Sequence, residues 1–280
     1  MPVYSGGYEA SAWYIAESTE GTTPNGTYLA LANFVTIKEN ESPKPIGVRK
    51  SGSVDYAVFE EAYPKPIVTI TFHPTLENGL NFLVNYISTD NTFSLVTKNQ
   101  NTGQFYRRYV GCKVSSTQVK IKLYPKEDVV EVTCEIWGWS IQYSDISGNT
   151  YETIPSDAVN WSNVVVQLNS STITDWWEAN FSVDNDLHRV PTPSTGATQS
   201  IKRGTRECKG DFTRPVQTTD QVNTEIQAIE NAVSFNFEIV LATHTFQFNG
   251  GVYTDVDVNN DMTEIQNKKL QFQGATLSVS

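Results

Sequence analysis

Along most of this chain apolar residues recur at every second position, the period of a strand with one buried face. Trp177, Ala179, Phe181 and Val183 fall on one side of such a run, and Glu178, Asn180, Ser182 and Asp184 on the other. A weaker alternation returns over 205–213, where Cys208 and Phe212 share a face. Between these two arms lie roughly twenty residues rich in Pro, Thr, Ser, Gly and charge, although a hairpin needs only about two to five linking residues. Such a tip is either an unstructured surface loop or a segment built to touch a partner.

The same pattern organises both halves. In the first, a strand over 12–16 is followed by a β-rich run at 27–37, a long polar segment at 38–66 and a β-branched return at 67–72. Thr75 is positioned to cap a helix carrying Leu76, Leu80, Leu83, Val84 and Ile87 at helical spacing. Strands are then predicted at 92–97, 105–114, 119–124 and 129–142. The period lapses over 143–163, where turn residues dominate. It resumes at 164–168, ahead of the long-looped hairpin. Thr219 or Asp220 is predicted to cap a helix with Val222, Ile226, Ile229 and Val233 on one stripe. Strands follow at 235–242, 245–248, 252–258 and 269–279, with Gly250–Gly251 read as a tight turn. Both halves thus run strand, long polar loop, strand, helix, several strands. This order predicts one duplicated unit: a first β domain at 1–145, a connection at 146–163 and a second β domain at 164–280.

Composition narrows the chemistry. The 280 residues are 39% hydrophobic and 18% charged, with a net charge of −11. An acidic chain is poorly suited to tight nucleic-acid binding, which depends on neutralising phosphates. Three cysteines, Cys112, Cys134 and Cys208, give no disulfide framework and no metal spacing. The N-terminal residues lack the basic and apolar regions of a signal peptide, and no run has the length of a membrane span. His73, His188 and His244 are scattered, and no HExxH, GxSxG, P-loop or dinucleotide fingerprint occurs. The acidic run from Asp255 to Glu264 departs from a calcium loop, with Asn260 at the glycine position and Gln266 at the glutamate position. Its alternation reads instead as a strand with one wet face. Trp137, Trp139, Trp176 and Trp177 fit core or subunit packing, with a sugar-stacking platform as the alternative. No nucleophile-and-base constellation appears. Neither an enzyme nor a cofactor or metal site is expected.

Three stretches resemble a known family. WYIAESTEGTTP, Trp13 to Pro24, is similar to the N-terminal segment of tail tube proteins from long-tailed, siphovirus-like bacteriophages. The hairpin beginning ANFSVDNDLHRV resembles that family's long hairpin, and FQGATLSVS its closing strand. The resemblance implies a mainly β (α+β) fold of two tandem β-sandwich or barrel domains, each with one flanking helix and a long-looped hairpin. It implies a virion structural protein, assembled in the host cytoplasm and polymerised as stacked rings around a channel. DNA would cross that channel without specific binding. Six copies of the fold per ring would make this two-unit chain a trimer with pseudo-six-fold symmetry, a hexameric ring being the alternative. Implied partners are further copies of the chain and the tape measure, tail terminator and distal tail proteins, with no membrane. A carbohydrate-binding or adhesin-like β module of a virion or cell surface is the competing reading. The long loops are expected at ring or subunit interfaces through Lys44, Arg49, Lys50, Tyr56 and Phe59 in the first half. In the second half the expected contacts are Asp184, Asp186, His188, Arg189, Arg203 and Arg206. Carboxylates on wet strand faces, among them Asp255 and Asp257, are expected to line the channel. The first-half loop is longer and more aromatic than the second, so the two need not make the same contact.

Overall fold

A computed structural model describes residues 10–22, 24–40, 46–49, 56–60, 66–99, 105–123, 129–143, 148–154, 157–191, 198–216, 219–259, 267–274 and 276–280. The first half runs β1 (Ala10–Ala16), β2 (Thr27–Ala30), β3 (Ala32–Asn40), β4 (Ile46–Arg49), β5 (Tyr56–Glu60) and β6 (Ile67–Pro74), then α1 (Asn78–Tyr86). It continues through β7 (Phe93–Asn99), β8 (Phe105–Lys122), β9 (Glu131–Trp137) and β10 (Ser140–Gln142). After β11 (Thr150–Tyr151), the second half runs β12 (Val164–Leu168), β13 (Ser171–Ile173), β14 (Glu178–Asp184), β15 (Leu187–Pro191), β16 (Thr198–Arg203) and β17 (Glu207–Pro215). It closes with α2 (Thr219–Glu230), β18 (Ser234–Leu241), β19 (His244–Asn259), β20 (Asn267–Gly274) and β21 (Thr276–Val279).

Pairings of the first series recur in the second. β1 pairs with β2 and β7, as β12 pairs with β13 and β18. β3 pairs with β6 and carries the β4–β5 hairpin beyond it, as β14 pairs with β17 and carries β15–β16. β8 pairs with β7, β9 and β10, as β19 pairs with β18, β20 and β21. β6 pairs with β9, as β17 pairs with β20. The irregularities recur too. Register shifts fall opposite β7 and β18, where Gly111 and Gly250 take left-handed φ of 65° and 62°. That conformation costs glycine nothing and strains other residues. A second bulge leaves Ser115 unmatched in β8 and Thr254 unmatched in β19. Gly250 follows Gly111 by the same interval as Thr254 follows Ser115. Bulges bend a strand and increase its twist, so each long strand serves one set of neighbours before them and another after.

Eight antiparallel strands form one run across both halves, in the order β3–β6–β9–β8–β14–β17–β20–β19. One face is dry: Val68, Ile70 and Phe72 of β6, Val119 and Ile121 of β8, and Ala179, Phe181 and Val183 of β14 are all buried. β1, β7 and α1 cover this face in the first half, where the Phe82 ring sits 5.1 Å from both Tyr14 and Phe93. In the second half Phe212 stacks on Phe237 of β18 at 5.3 Å, and Phe237 lies 4.6 Å from Phe272. Cys112, Cys134 and Cys208 are buried in the same core. Burial pushes all three thiols up, Cys134 to about 12, which leaves them unreactive.

The connection packs on the first half. β11 pairs in parallel with β2, and Tyr151 and Ile154 cover Trp13, Tyr28, Ala30 and Val96. Ala158 and Asn160 bridge to Thr75 and Val129.

Several local expectations change. The predicted break between 114 and 119 is absent, because Ser116 and Thr117 pair on both sides, with β9 and β14. Gly250–Gly251 is not a turn but part of β19; the turn lies at Ala242–Thr243, with Ala242 at φ 53°. The 129–142 run splits after Trp137 because the Gly138 and Trp139 amides donate to Pro66 and Val110 instead of continuing the ladder. Thr75 is not the N-cap of α1: the helix begins at Asn78 with Glu77 in the cap position, whose side chain makes no capping bond, although Thr75 Oγ1 accepts from the Gly79 amide of the first turn at 2.9 Å. Leu76 therefore precedes the helix and is exposed.

Among the described residues Arg108 and Lys268 are fully buried charged side chains. Lys268 on β20 has 0% side-chain exposure, and its Nζ reaches Glu225 of α2 at 2.7 Å. Removing one partner of a buried pair strands the other charge and costs about 3–5 kcal/mol. Glu225→Ala should lose stability of that order in chemical denaturation. Lys268→Met, which leaves no buried charge behind, should lose clearly less.

Candidate functional site: a clasped seam and two free strand edges

The halves meet along a seam. Residues 178–184 of β14 pair one for one with 116–122 of β8. Beyond the seam the β15–β16 hairpin lies across the first half, held mainly by side chain to backbone hydrogen bonds. Asn185, fully buried, donates through Nδ2 to the carbonyls of Ile87 at 3.0 Å and Val114 at 2.9 Å. Its own amide donates to Ser115, the residue of the β8 bulge. Both backbone groups of Ile201 are taken by first-half side chains. Lys113 Nζ donates to its carbonyl at 2.8 Å, and its amide donates to Glu20 at 2.9 Å.

Three arginines complete the clasp. Arg189 donates to the carbonyls of Gly138 at 2.6 Å and Pro66 at 2.9 Å, with its guanidinium 5.0 Å from the Trp137 ring centre. Burial pulls this guanidinium below its usual value. Arg203 and Arg206 both donate to the Ser88 carbonyl, and Arg203 also to Thr89. Those carbonyls follow α1, where the helix dipole favours cations. Burial lowers the Arg203 pKa as well, with Asp90 at 3.7 Å opposing the shift.

The other expected contact residues fall in different places. Asp184 ends β14, exposed, and accepts from the Asp186 amide at 3.0 Å. Asp186 and His188 form an exposed pair at 3.2 Å, a type of contact that contributes little. Arg49 falls on β4 and Tyr56 and Phe59 on β5, with side chains outside the described residues; Lys44 and Lys50 lie outside them altogether. Sequence reasoning missed Asn185, Lys113 and Glu20. Asn185 stands between two aspartates and reads as a turn residue, and nothing local tells that its amide is buried.

Asp255 and Asp257 lie on the wet face of the eight-strand run, opposite Gln271 and Lys269. That face also carries Glu131, Glu135, Glu178, Asp184, Glu207 and Asp211. Among the described residues its lysines are Lys38, Lys120, Lys122, Lys209 and Lys269, with Lys113 buried under the second hairpin, so carboxylates outnumber cations. Lys120–Glu131, Lys209–Glu207 and Lys269–Asp211 are paired at 3.6, 2.9 and 3.4 Å. None of Trp137, Trp139, Trp176 and Trp177 is exposed, so they offer no open stacking platform. Among the described residues no cluster of His, Cys, Asp and Glu could hold a metal ion.

The run ends in two free edges. Among the described residues, β3 pairs only with β6, and the stretch of β19 from Asp255 to Asn259 pairs only with β20. These are the counterparts of β14 and of the β8 stretch that β14 occupies.

A family model described as phage tail tube protein matches residues 7–279. Among solved structures, the chain is similar to one from the virion of a native gene transfer agent particle, with 15% identity and a TM-score of 0.37, covering 44% of this chain and 99% of that one. A second is from the tail of an empty gene transfer agent particle with C6 symmetry, at 16% identity and a TM-score of 0.38, covering 44% and 99%. A third is Hcp1 from Flavobacterium johnsoniae, at 8% identity and a TM-score of 0.27, covering 42% and 94%. No curated protein matches the chain.

Asn185 gives the seam its test. Asn185→Ala leaves two buried carbonyls without a donor, each worth about 1–3 kcal/mol. The variant should unfold at lower denaturant, and limited proteolysis should cut first within 186–206. Unchanged stability and unchanged cleavage would show that the hairpin is held by other contacts.

Proposed function

The chain belongs to the phage tail tube protein family, and from that premise we propose how it builds the tube. It is a structural subunit of the virion tail. Its halves, 1–145 and 164–280, joined by 146–163, are two copies of one tube-forming unit. Three chains close a ring in which β3 of each chain pairs with the free edge of β19 in the next, repeating the β8–β14 seam.

One observation carries this reading: a seam inside the chain whose counterpart strands each pair on one side only among the described residues. Exposed strand edges are ready templates for pairing with another chain. The contact is heterologous, because different surfaces meet, and such a contact makes a ring only when its rotation closes. If the step between chains equals the step between halves, six units close with three chains. The role is mechanical and asks for no catalysis.

In the closed ring the wet face forms the inner wall. DNA crossing it must be held weakly. Each cation neutralising a phosphate adds affinity, with a salt slope of about −0.9 per contact on duplex DNA. Carboxylates outnumber lysines there, and three of the lysines are already paired. The wall repels phosphates over about 8 Å at physiological salt. Tape measure, terminator and distal tail proteins would meet the tube inside and at its ends.

Two measurements test this. Native mass spectrometry of rings released from tubes should give three chains per ring; six would sink the seam-repeat reading. Tubes of wild-type chain should not retain duplex DNA at 50 mM salt, whereas Asp255→Lys/Asp257→Lys tubes should retain it. Retention by the wild type would contradict an acidic, non-binding wall.

A further inference from the structure

The two helices end in different surroundings. At the end of α1, Tyr86 and Ile87 are buried, Ile87 at 0% exposure. The carbonyls of Ile87, Ser88 and Thr89 are all occupied by Asn185, Arg203 and Arg206 of the second hairpin. At the end of α2, Ile226 and Val233 are 43% and 52% exposed. Glu230, Asn231 and Ala232 between them are exposed as well. The apolar stripe expected on α2 is therefore partly turned to solvent. Covering such an apolar side chain is worth about 1.5–3 kcal/mol when burial is complete, so a partner seated at the end of α2 would gain from both Ile226 and Val233.

We propose that the C-terminal end of α2 is the docking site for the β4–β5 hairpin of a second copy of this chain. The inference rests on the ring reading above. β4–β5 stands in the first half where β15–β16 stands in the second, each carried beyond an arm that pairs with the strand leading to a helix. In the chain, β14 pairs with β8 and the hairpin it carries reaches the end of α1. A neighbour whose β3 pairs with β19 carries β4–β5, by the same displacement, to the end of α2. Residues 46–60 include apolar Val48, Tyr56 and Phe59, suited to Ile226 and Val233. They also include cations, Arg49 and Lys50, suited to a helix C-terminus. The occupant is thus a hairpin that clasps a helix end, as the second hairpin already does at α1.

The test places a photo-crosslinking benzoylphenylalanine at Val233 and mixes that chain with isotope-labelled wild-type chain before assembly. Irradiated rings should yield a crosslink from 233 to labelled peptide within 41–66. A crosslink to another segment, or none in assembled rings, overturns the proposal while leaving the ring reading intact. If the wild-type chain forms no rings, the ring reading falls and the inference with it. As a second arm, Ile226→Asp/Val233→Asp should fold with an unchanged circular dichroism spectrum yet lose the sedimenting tubes. Tubes at the wild-type level would overturn the proposal.

Discussion

Backbone pairing between β8 and β14 is the contact on which the rest of the structure depends. It fuses two four-strand sets into one sheet and sets the displacement between the halves. Side chains reinforce it on the dry face, where Ala179, Phe181 and Val183 meet Ile121, Val119 and Thr117. Such a seam is made of main-chain hydrogen bonds, so it asks little of the letters and can recur between stretches of low identity. Side chains then set its register, because a slip of one residue would turn Phe181 to water and Asn180 into the core.

The seam requires β8 to be long and bent. Its first part belongs with β7 and β10, its last part with β9 and β14. The bulges at Gly111 and Ser115 separate the two roles, and Gly250 and Thr254 do so in β19. What distinguishes the halves is occupancy. The last part of β8 and the end of α1 are covered by the second half, while the last part of β19 and the end of α2 have no described cover. That asymmetry points from one chain to the next, as a polymerising subunit requires.

Much of the fold was legible in the sequence, and the misses have physical causes. Alternation marked β14 and β-branched content marked β6, and both are buried at every second residue. The order of elements suggested a repeated arrangement that the letters did not show, and the strand pairings recur between the halves. Glycine was misread at 250–251, because a left-handed residue serves a bulge as well as it serves a turn. Serine and threonine at 115–117 suggested a break, yet both edges of β8 are paired there. The long second hairpin was marked for contact with another copy, and within the chain its basic residues have a different task. They are spent chiefly on backbone carbonyls of the first half, a class of partner that sequence does not display. Periodicity placed an apolar stripe on α2, and periodicity alone does not tell whether a face is covered by its own chain or by another.

Amide hydrogen exchange on the free subunit and on assembled tubes tests the central claim most directly. Unpaired edge amides exchange near the low end of local stability, and paired ones approach the global limit. Assembly should slow exchange in both β3 and the 255–259 stretch of β19, while the 178–184 and 116–122 stretches stay protected throughout. Exchange in β3 and 255–259 that is as fast in tubes as in the free subunit would contradict ring closure by a repeat of the β8–β14 seam.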